Sequence, residues 1–331
     1  MLHGWIILDK PVGLGSTQAV SAAKRALREA GEPKTKVGHG GTLDPLASGV
    51  LPIALGEATK LAGRMLDATK DYEFTIRFGE ETDTLDAEGQ VVATSDVRPT
   101  RDQVEAVLPR FTGEIEQVPP AYSALKIEGK AAYARARAGE EVELIARRVT
   151  VHALELLPAG EAGGEGDRSA EPNGGGAPPS ALRAATSPSL RDREELSQIT
   201  LAATVSKGTY IRSLARDLAR ALNSVGHVTM LRRTRSGPFS LETAISLDFL
   251  FEAAKARQLD GAVVPLEAAL DDIPALPVTP GQARLLRHGQ VLAGFPERPG
   301  LQLATEGSTP VALVEAAADG LRVVRGFNIE P

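Results

Sequence analysis

The chain has 331 residues, a length that suits two domains better than one. Hydrophobic residues make up 42% of it, which excludes a wholly disordered protein. The formal net charge of −6 excludes a uniformly basic nucleic-acid coat protein, although a local basic face stays compatible with it. The absence of cysteine excludes disulfides, thiolate nucleophiles and thiolate metal sites.

The first apolar run, residues 5–8, predicts a short buried strand. It is too short for the core of a signal peptide, and no cationic region precedes it. No stretch approaches the roughly 20 apolar residues that a membrane-spanning helix needs. We therefore expect a soluble, cytoplasmic protein without a membrane partner.

Residues 11–15 predict a turn, because proline fixes φ and glycine tolerates a positive φ. Apolar residues then recur at helical spacing up to residue 30, which predicts a helix. Ser16 or Thr17 is the expected amino-terminal cap of this helix. Gly31 and Pro33 are expected to end it.

A glycine-rich stretch follows at residues 38–56, and its sequence suggests close approach of the backbone at a site. Within it, Asp44 and Pro45 fit a helix cap followed by proline at the first helical position. Asp44 is also a carboxylate among four glycines and one histidine, with no acidic neighbour nearby. Such a carboxylate could serve as a nucleophile or a general base, so both interpretations stay open.

Further along, residues 72–78 alternate as a strand does, and residues 101–111 favour a helix. Residues 158–198 consist mainly of Gly, Pro, Ala, Ser, Glu and Arg, a composition that predicts a disordered insertion. We expect it to join two strands of a hairpin, near residues 149–157 and 199–205. Later helices are predicted at residues 212–222, 247–256 and 265–270, with a small β-rich region from about residue 273.

Familiar cofactor motifs are missing. The sequence has no phosphate-binding Gly-Lys-Ser/Thr loop, no complete dinucleotide fingerprint and no nucleophile elbow. Its five histidines lack partners at metal-ligand spacing, so we expect no metal site and no cofactor.

Tyr210 and Arg212 are two residues apart, which places them on one face if the segment is extended. There Tyr210 could stack on a base and Arg212 could pair with a carboxylate. The alternative is the start of a helix with Tyr210 half-buried and Arg212 solvated.

Seven basic residues and one acidic residue lie between Lys207 and Arg235, which we call the basic segment. Clustered on one face, they would attract a polyanion, whereas the alternative is a solvated helix face. In residues 119–148, aromatic and basic side chains alternate as they do in segments that contact RNA.

Together these segments resemble the TruB family of tRNA pseudouridine synthases, in family order over residues 4 to about 250. The matching segments are LDKPVG (8–13), GHGGTLDPLASGVLP (38–52), KDY (70–72), TDTLDAEG (82–89), PAYSALK (120–126), SKGTYIR (206–212), and GHV with LRR (226–228 and 231–233). The insertion at residues 158–198 departs from the family pattern, at a strand connection where it should not disturb the site.

The resemblance implies an α+β fold, with a catalytic domain at residues 1–270 built on a mixed, mostly antiparallel sheet flanked by helices. It also implies a small β-rich, PUA-like RNA-binding domain at residues 271–331. Residues 119–148 resemble the mobile part of the family that closes over RNA.

The resemblance also assigns roles to individual residues. Asp44 matches the catalytic aspartate, and Arg212 matches the arginine paired with it, which would hold the carboxylate ionised. Tyr72 matches the aromatic residue that stacks on the flipped base. The remaining assignments are a second site tyrosine at Tyr210, a histidine of base flipping at His39, an apolar site residue at Leu231, and support of the catalytic loop by Lys10 and Pro11.

The implied activity is the isomerisation of uridine 55 in the T loop of tRNA to pseudouridine, with no cofactor, by a monomer without an obligate protein partner. The sequence does not distinguish attack of Asp44 on C1′ or C6 from removal of a ribose proton. Two alternatives stay open: an inactive tRNA-binding or RNA-folding protein, and a synthase that modifies another RNA uridine.

Overall fold

The computed structural model describes residues 1–123, 125–127, 130–131, 135, 144–158, 195–293, 300–317 and 320–329. Within them the strands are β1 Gly4–Lys10, β2 Val37–His39, β3 Ser48–Leu55, β4 Lys70–Phe78, β5 Glu80–Thr82, β6 Val91–Thr94, β7 Gly113–Gln117, β8 Lys126–Ile127, β9 Lys130–Ala131, β10 Arg147–Leu156, β11 Gln198–Val205, β12 Gly226–Ser236, β13 Phe239–Ser240, β14 Val264–Pro265, β15 Ala275–Pro277, β16 Leu301–Glu306, β17 Thr309–Ala317 and β18 Gly320–Gly326.

The described α-helices are α1 Ser16–Glu29, α2 Ala62–Asp67, α3 Arg101–Val107, α4 Ile211–Ala221, α5 Leu247–Lys255 and α6 Pro280–Arg287. Short 3₁₀ turns lie at Gly56–Leu61, Leu108–Phe111, Leu241–Thr243, Leu259–Ala262 and Leu266–Leu270. No described helix combines the length and the apolar composition that crossing a bilayer requires.

The chain divides into two compact units. The first comprises residues 1–70 and 232–331, and the second comprises residues 71–231. These limits differ from the sequence-based division after residue 270, because the carboxyl-terminal strands share a core with the amino-terminal ones. Compact units need not coincide with functional domains, so the predicted domain boundary after residue 270 stays a prediction.

The sheet of the first unit is mixed. In it β1 lies between β14 and β3, antiparallel to both, while β3 pairs in parallel with the last part of β12. A second sheet has the order β15-β16-β17-β18, and α6 packs on it. Both sheets agree with the predicted α+β fold and its small carboxyl-terminal β region.

The core of the first unit is built around Trp5, which is fully buried. Its ring lies 5.5 Å from that of Phe239, and its Nε1 donates to the carbonyl of Leu266 at 3.2 Å. Leu303 and Phe327 from the carboxyl-terminal region belong to the same apolar cluster. The strand predicted from residues 5–8 is thus confirmed as a central, fully buried element.

In the second unit β4, β11, β10 and β7 are neighbours in that order. β10 and β11 pair antiparallel, so the two strands predicted on either side of the low-complexity insertion are confirmed. Residues 159–194 of that insertion lie outside the described residues. The predicted end of the insertion at residue 198 is wrong. The backbone N–H of Leu196 donates to the carbonyl of Pro99, and β11 begins at Gln198.

Candidate functional site

Asp44 lies in a loop, residues 40–47, that connects β2 to β3 and that we call the Asp44 loop. The backbone N–H of Ala47 donates to the carbonyl of Asp44 at 3.1 Å, which closes a turn over Pro45 and Leu46. No helix follows, so the interpretation of Asp44 as a helix cap is wrong. The side chain is half-buried, in a backbone that leads straight into the buried strand β3.

Lys10 fixes the Asp44 loop from the end of β1. Its side chain is fully buried, and its Nζ donates to the carbonyls of Pro11 at 2.8 Å, Leu14 at 2.7 Å and Pro45 at 3.3 Å. The N–H of Gly13 donates to the same Pro45 carbonyl at 2.8 Å. The turn after β1 and the Asp44 loop are therefore held to each other by a buried cation and a backbone hydrogen bond.

Ser16 makes a second connection that the sequence did not reveal. It was one of two expected caps of α1, but the residue at the cap position is Gly15, whose N–H donates to Gln18 Oε1 at 2.8 Å. The hydroxyl of Ser16 is buried and accepts from the N–H of Leu43 at 2.8 Å while donating to its carbonyl at 2.9 Å. The predicted cap is wrong because this hydroxyl serves the residue before Asp44 instead.

Arg233 on β12 holds the other side of the loop. Its side chain is almost fully buried, and it donates to the carbonyls of Val50 at 2.7 Å, Thr42 at 3.3 Å and Gly41 at 3.3 Å. Gly49, with φ of +99°, lets the backbones approach, because a Cβ there would lie 2.2 Å from the carbonyl oxygen of Arg233. In the sequence Arg233 was one of several basic residues and part of a matching segment, with no role assigned to it.

His39 ends β2 and precedes the Asp44 loop. The N–H of Gly41 lies 3.4 Å from its Nδ1, which acts as acceptor. Burial lowers the pKa of His39 below its ordinary value of 6.5, and the Arg233 guanidinium lowers it further. The imidazole is therefore neutral at pH 7.

In the second unit, Arg212 lies in the first turn of α4 and is buried. Its Nη1 donates to Asp86 Oδ2 at 3.0 Å and to the carbonyl of Thr84 at 2.8 Å, and its Nη2 donates to the carbonyl of Tyr122 at 2.9 Å. The helix start was one of the two open interpretations and is confirmed. The same interpretation expected Arg212 to be solvated. That expectation is wrong, because these acceptors surround the guanidinium.

Asp86 is the buried carboxylate that faces Arg212, and the sequence did not assign it a role. Its Oδ1 accepts from Thr84 Oγ1 at 2.5 Å and from the N–H of Glu88 at 3.1 Å, which fixes the orientation of the carboxylate. Leu85 between them has a φ of 62°, a conformation that few residues with a side chain adopt. The loop at residues 82–89 thus positions the arginine.

Tyr210 occupies the cap position of α4 and is half-buried. Its N–H donates to Oε1 of the buried Gln117 at 2.7 Å, and the guanidinium carbon of Arg147 lies 5.2 Å from its ring centroid. Tyr72 is half-buried on β4, and Leu231 is buried on β12. Two aromatic side chains of the second unit are therefore partly accessible, and the backbone of one is fixed by a buried amide.

The predicted site residues fall into both units. Lys10, Pro11, His39 and Asp44 belong to the first, where Lys10 donates to the Asp44 loop and His39 borders it. The second unit contains Tyr72, Tyr210, Arg212 and Leu231.

The basic segment differs from the expected stripe of solvated charges. Arg212, Arg216, Arg220 and Arg232 form ion pairs with Asp86, Asp217, Glu81 and Asp9 respectively. Arg233 is buried against carbonyl oxygens, as described above. Carboxylates outside the segment therefore offset three of its six surplus positive charges, and the Arg216 pair uses the acid within it.

The structure describes only part of the segment at residues 119–148. Of residues 119–148, which resemble a mobile part, only residues 119–123, 125–127, 130–131, 135 and 144–148 are described, and Tyr133 lies outside them.

Among the described residues, no three His, Asp or Glu side chains converge as metal ligands would.

Two family models match the chain. Residues 24–165 match the amino-terminal domain of the TruB family of pseudouridylate synthases, and residues 212–271 match the carboxyl-terminal domain of tRNA pseudouridylate synthase B. The two matches include the Asp44 loop, Tyr72, the loop at residues 82–89 and Arg212.

Curated relatives are similar over the whole length. A protein of Novosphingobium aromaticivorans named tRNA pseudouridine synthase B is 57% identical, covering 100% of this chain and 99% of its own. The protein of the same name from Zymomonas mobilis is 55% identical, covering 99% and 96%.

Solved structures show the same fold. A chain from an H/ACA RNP bound to a substrate RNA containing 2′-deoxyuridine is 25% identical with a TM-score of 0.66, covering 99% of this chain and 86% of its own. A chain from a Cbf5-Nop10-Gar1 complex is 27% identical with a TM-score of 0.65, covering 98% and 84%. The chain belongs to the TruB family of pseudouridylate synthases and is an isomerase.

Proposed function

We propose that this protein isomerises uridine 55 in the T loop of tRNA to pseudouridine, with Asp44 as the reacting carboxylate. The observation that carries the proposal is the buried scaffold around Asp44, in a chain similar over its whole length to tRNA pseudouridine synthases. Lys10, Ser16 and Arg233 each bond the backbone of the Asp44 loop. Such a scaffold limits the positions that the carboxylate can take, as a nucleophile requires.

The reaction breaks the bond between N1 and C1′, turns the ring and joins C5 to C1′, while C5 loses a proton and N1 gains one. Reactant and product are isomers, so the overall change requires no oxidant and no hydrolysis. Asp44 assists by attacking C1′ or C6, or by taking a ribose proton. Each of these routes needs an ionised carboxylate, and we propose that Arg212 favours that form.

The target base must leave the folded loop before it can react. Flipping costs a few kcal/mol, and stacking on an aromatic side chain returns about 1–3 kcal/mol per base. We propose that Tyr72 stacks on the flipped uracil and that Tyr210 and Leu231 complete its surroundings. The neutral imidazole of His39 would assist flipping by contacts that require no positive charge.

The small sheet at residues 275–326 is proposed to bind RNA away from the reacting nucleotide, as the resemblance to PUA domains implies. It has its own apolar core, which includes Val311, Val314 and Leu321. A folded module of this kind supplies a rigid second contact, which raises affinity without touching the reacting base.

Asp44→Asn tests the assignment of the nucleophile. The amide keeps the size of the side chain but loses the charge, so we expect no release of tritium from tRNA carrying 5-tritiated uridine. The Kd for tRNA should stay within about twofold, because stacking and phosphate contacts are unchanged. Asp248→Asn, an exposed aspartate in the first turn of α5, is the matched control and should leave release unchanged.

Undiminished tritium release by Asp44→Asn would refute the role of Asp44. A wild-type protein that binds tRNA without releasing tritium would favour the inactive RNA-binding alternative. The uridine that stays unmodified in cells lacking the gene decides between position 55 and another RNA target.

A further inference from the structure

A cleft of about 800 Å³ lies at the carboxyl end of α1 and along the connection to β2. Four of its lining residues are basic, namely Lys24, Arg28, Lys34 and Lys36, and one is acidic, Glu32. We call this feature the basic cleft. Leu27, Pro33 and Val37 contribute apolar lining, which lowers the local dielectric constant and strengthens the field of the cations.

The four cations of the basic cleft are exposed. None of their side chains forms a hydrogen bond or an ion pair with another residue that the structure describes. Glu29, the next acid along α1, lies outside the lining and acts electrostatically on Lys255 of α5. The cleft therefore keeps a net positive charge that the protein itself does not offset.

The backbone that carries these cations is well anchored. The carbonyl of Lys36 accepts from the N–H of Gly56 at 2.8 Å, and the hydroxyl of Thr35 donates to the carbonyl of Pro33 at 2.8 Å. β2 begins directly after Lys36 and pairs with β3, with Val37 opposite Leu55. Asp44 follows on the same stretch of chain, so the basic cleft and the Asp44 loop belong to one compact unit.

We propose that the basic cleft binds the phosphate backbone of the RNA substrate, away from the nucleotide that reacts. This inference rests on the proposed function, which supplies an RNA substrate. The charges are spread over a wide cleft and all are accessible, an arrangement suited to successive phosphates of a stem rather than to one small anion. Phosphate contacts of this kind position a nucleic acid and carry little sequence information.

The test is a variant in which Lys24→Gln, Lys34→Gln and Lys36→Gln are combined. Arg28 is kept, because a cation in the last turn of a helix stabilises that helix. We expect the Kd for unmodified tRNA at about 0.1 M salt to rise roughly tenfold. The slope of log affinity against log salt should fall by about 2, because each lost phosphate contact removes about 0.7–0.9.

The rate of tritium release at saturating tRNA should stay at the wild-type value, because the cleft does not contact the reacting base. The matched control combines Arg77→Gln on β4, Arg110→Gln in the 3₁₀ turn Leu108–Phe111 and Arg257→Gln in the turn after α5, three exposed cations far apart in the chain. It removes the same net charge and should change the Kd by less than about twofold. Thermal unfolding should show that both variants are as stable as the wild type.

Three results would overturn the proposal: an unchanged Kd and salt slope, an equal loss in the control variant, or a slower rate at saturating tRNA. An unchanged affinity would leave an acidic protein partner as the occupant to look for. Failure of the proposed function is a different outcome, since the wild-type protein itself would then release no tritium from tRNA.

Discussion

The basic segment at residues 207–235 and the basic cleft have similar densities of positive charge but use it differently. In the basic segment, four arginines pair with carboxylates and a fifth, Arg233, is buried against carbonyls. In the basic cleft, four exposed cations have no ion-pair partner among the described residues. Most arginines of the basic segment therefore stabilise the fold. The exposed cations of the basic cleft are accessible to a ligand.

The difference arises from where the neutralising acids lie in the chain. Asp86 and Arg212 are 126 residues apart, and Asp9 and Arg232 are 223 residues apart. A charge count over about 30 residues does not detect such partners. Charge density along the sequence therefore predicts a binding surface only after the long-range pairs are known.

The largest expected effect comes from breaking the buried pair in the second unit with Asp86→Asn. The amide preserves an oxygen for Thr84 and Glu88 but removes the negative charge that the buried Arg212 guanidinium contacts at 3.0 Å. Removing one partner of a buried ion pair costs about 3–5 kcal/mol, so the free energy of unfolding should fall by that amount. Denaturant unfolding at pH 7 measures it.

Glu81→Gln is the matched control for Asp86→Asn. Glu81 pairs with Arg220 on the same helix, α4, but the Arg220 side chain is 57% exposed. Water solvates that cation once the carboxylate is gone, so the loss should stay below about 1 kcal/mol. Equal losses in the two variants would contradict the expected difference between a buried and an exposed arginine–carboxylate pair.

Arg233→Met should have the next largest effect. Methionine fills a similar volume, but the carbonyls of Gly41, Thr42 and Val50 lose a buried donor. We expect a loss of about 2–3 kcal/mol in the free energy of unfolding, since unsatisfied buried acceptors are costly. Tritium release should also slow by more than the loss of folded protein explains, because the Asp44 loop loses a support.

Arg232→Met is the control on the neighbouring residue of β12. Arg232 pairs with Asp9 at 2.7 Å, and its side chain is 25% exposed. A loss of about 1 kcal/mol or less is expected, with normal tritium release. If Arg232→Met slowed release as much as Arg233→Met, the special role of the buried carbonyl contacts would be refuted.

Much of the fold was predictable from local pattern. The strands at residues 5–8 and 72–78 and the helix after Tyr210 follow from hydrophobic periodicity, which depends only on neighbouring residues. The glycine-rich surroundings and the family resemblance both pointed to Asp44, whereas the Asp44-Pro45 pair also fitted a helix cap. The structure has a turn instead, because Lys10 and Arg233 bind the loop carbonyls from distant parts of the chain.

The supporting residues of the site were less predictable. Ser16 has the sequence signature of a helix cap, yet its hydroxyl bonds Leu43. Gln117 lies in none of the matching segments, yet its amide oxygen accepts from the N–H of Tyr210. Both contacts join residues far apart in the chain, and a single sequence contains no signal for them. The quoted match at residues 82–89 was the one available hint of Asp86.

The smallest expected effect concerns His39, on which burial and the Arg233 cation act together. Because its pKa is lowered in the folded state, the unfolded chain binds more protons below the ordinary value of 6.5. Folding stability should therefore fall as the pH decreases through 6.5 towards the lowered pKa, and the contribution of His39 should level off below it. At pH 8 both states are neutral and this contribution vanishes.

His39→Gln removes this titration while keeping a polar acceptor near Gly41. Unfolding free energies measured from pH 8 to pH 5 should show a shallower decrease for the variant than for the wild type. The variant retains His3, whose pKa burial also lowers, so part of the acid sensitivity should persist. If the two proteins lost stability in parallel as the pH decreases, His39 would be as solvated as the cations of the basic cleft. The contrast between buried and accessible charges would then not apply to His39.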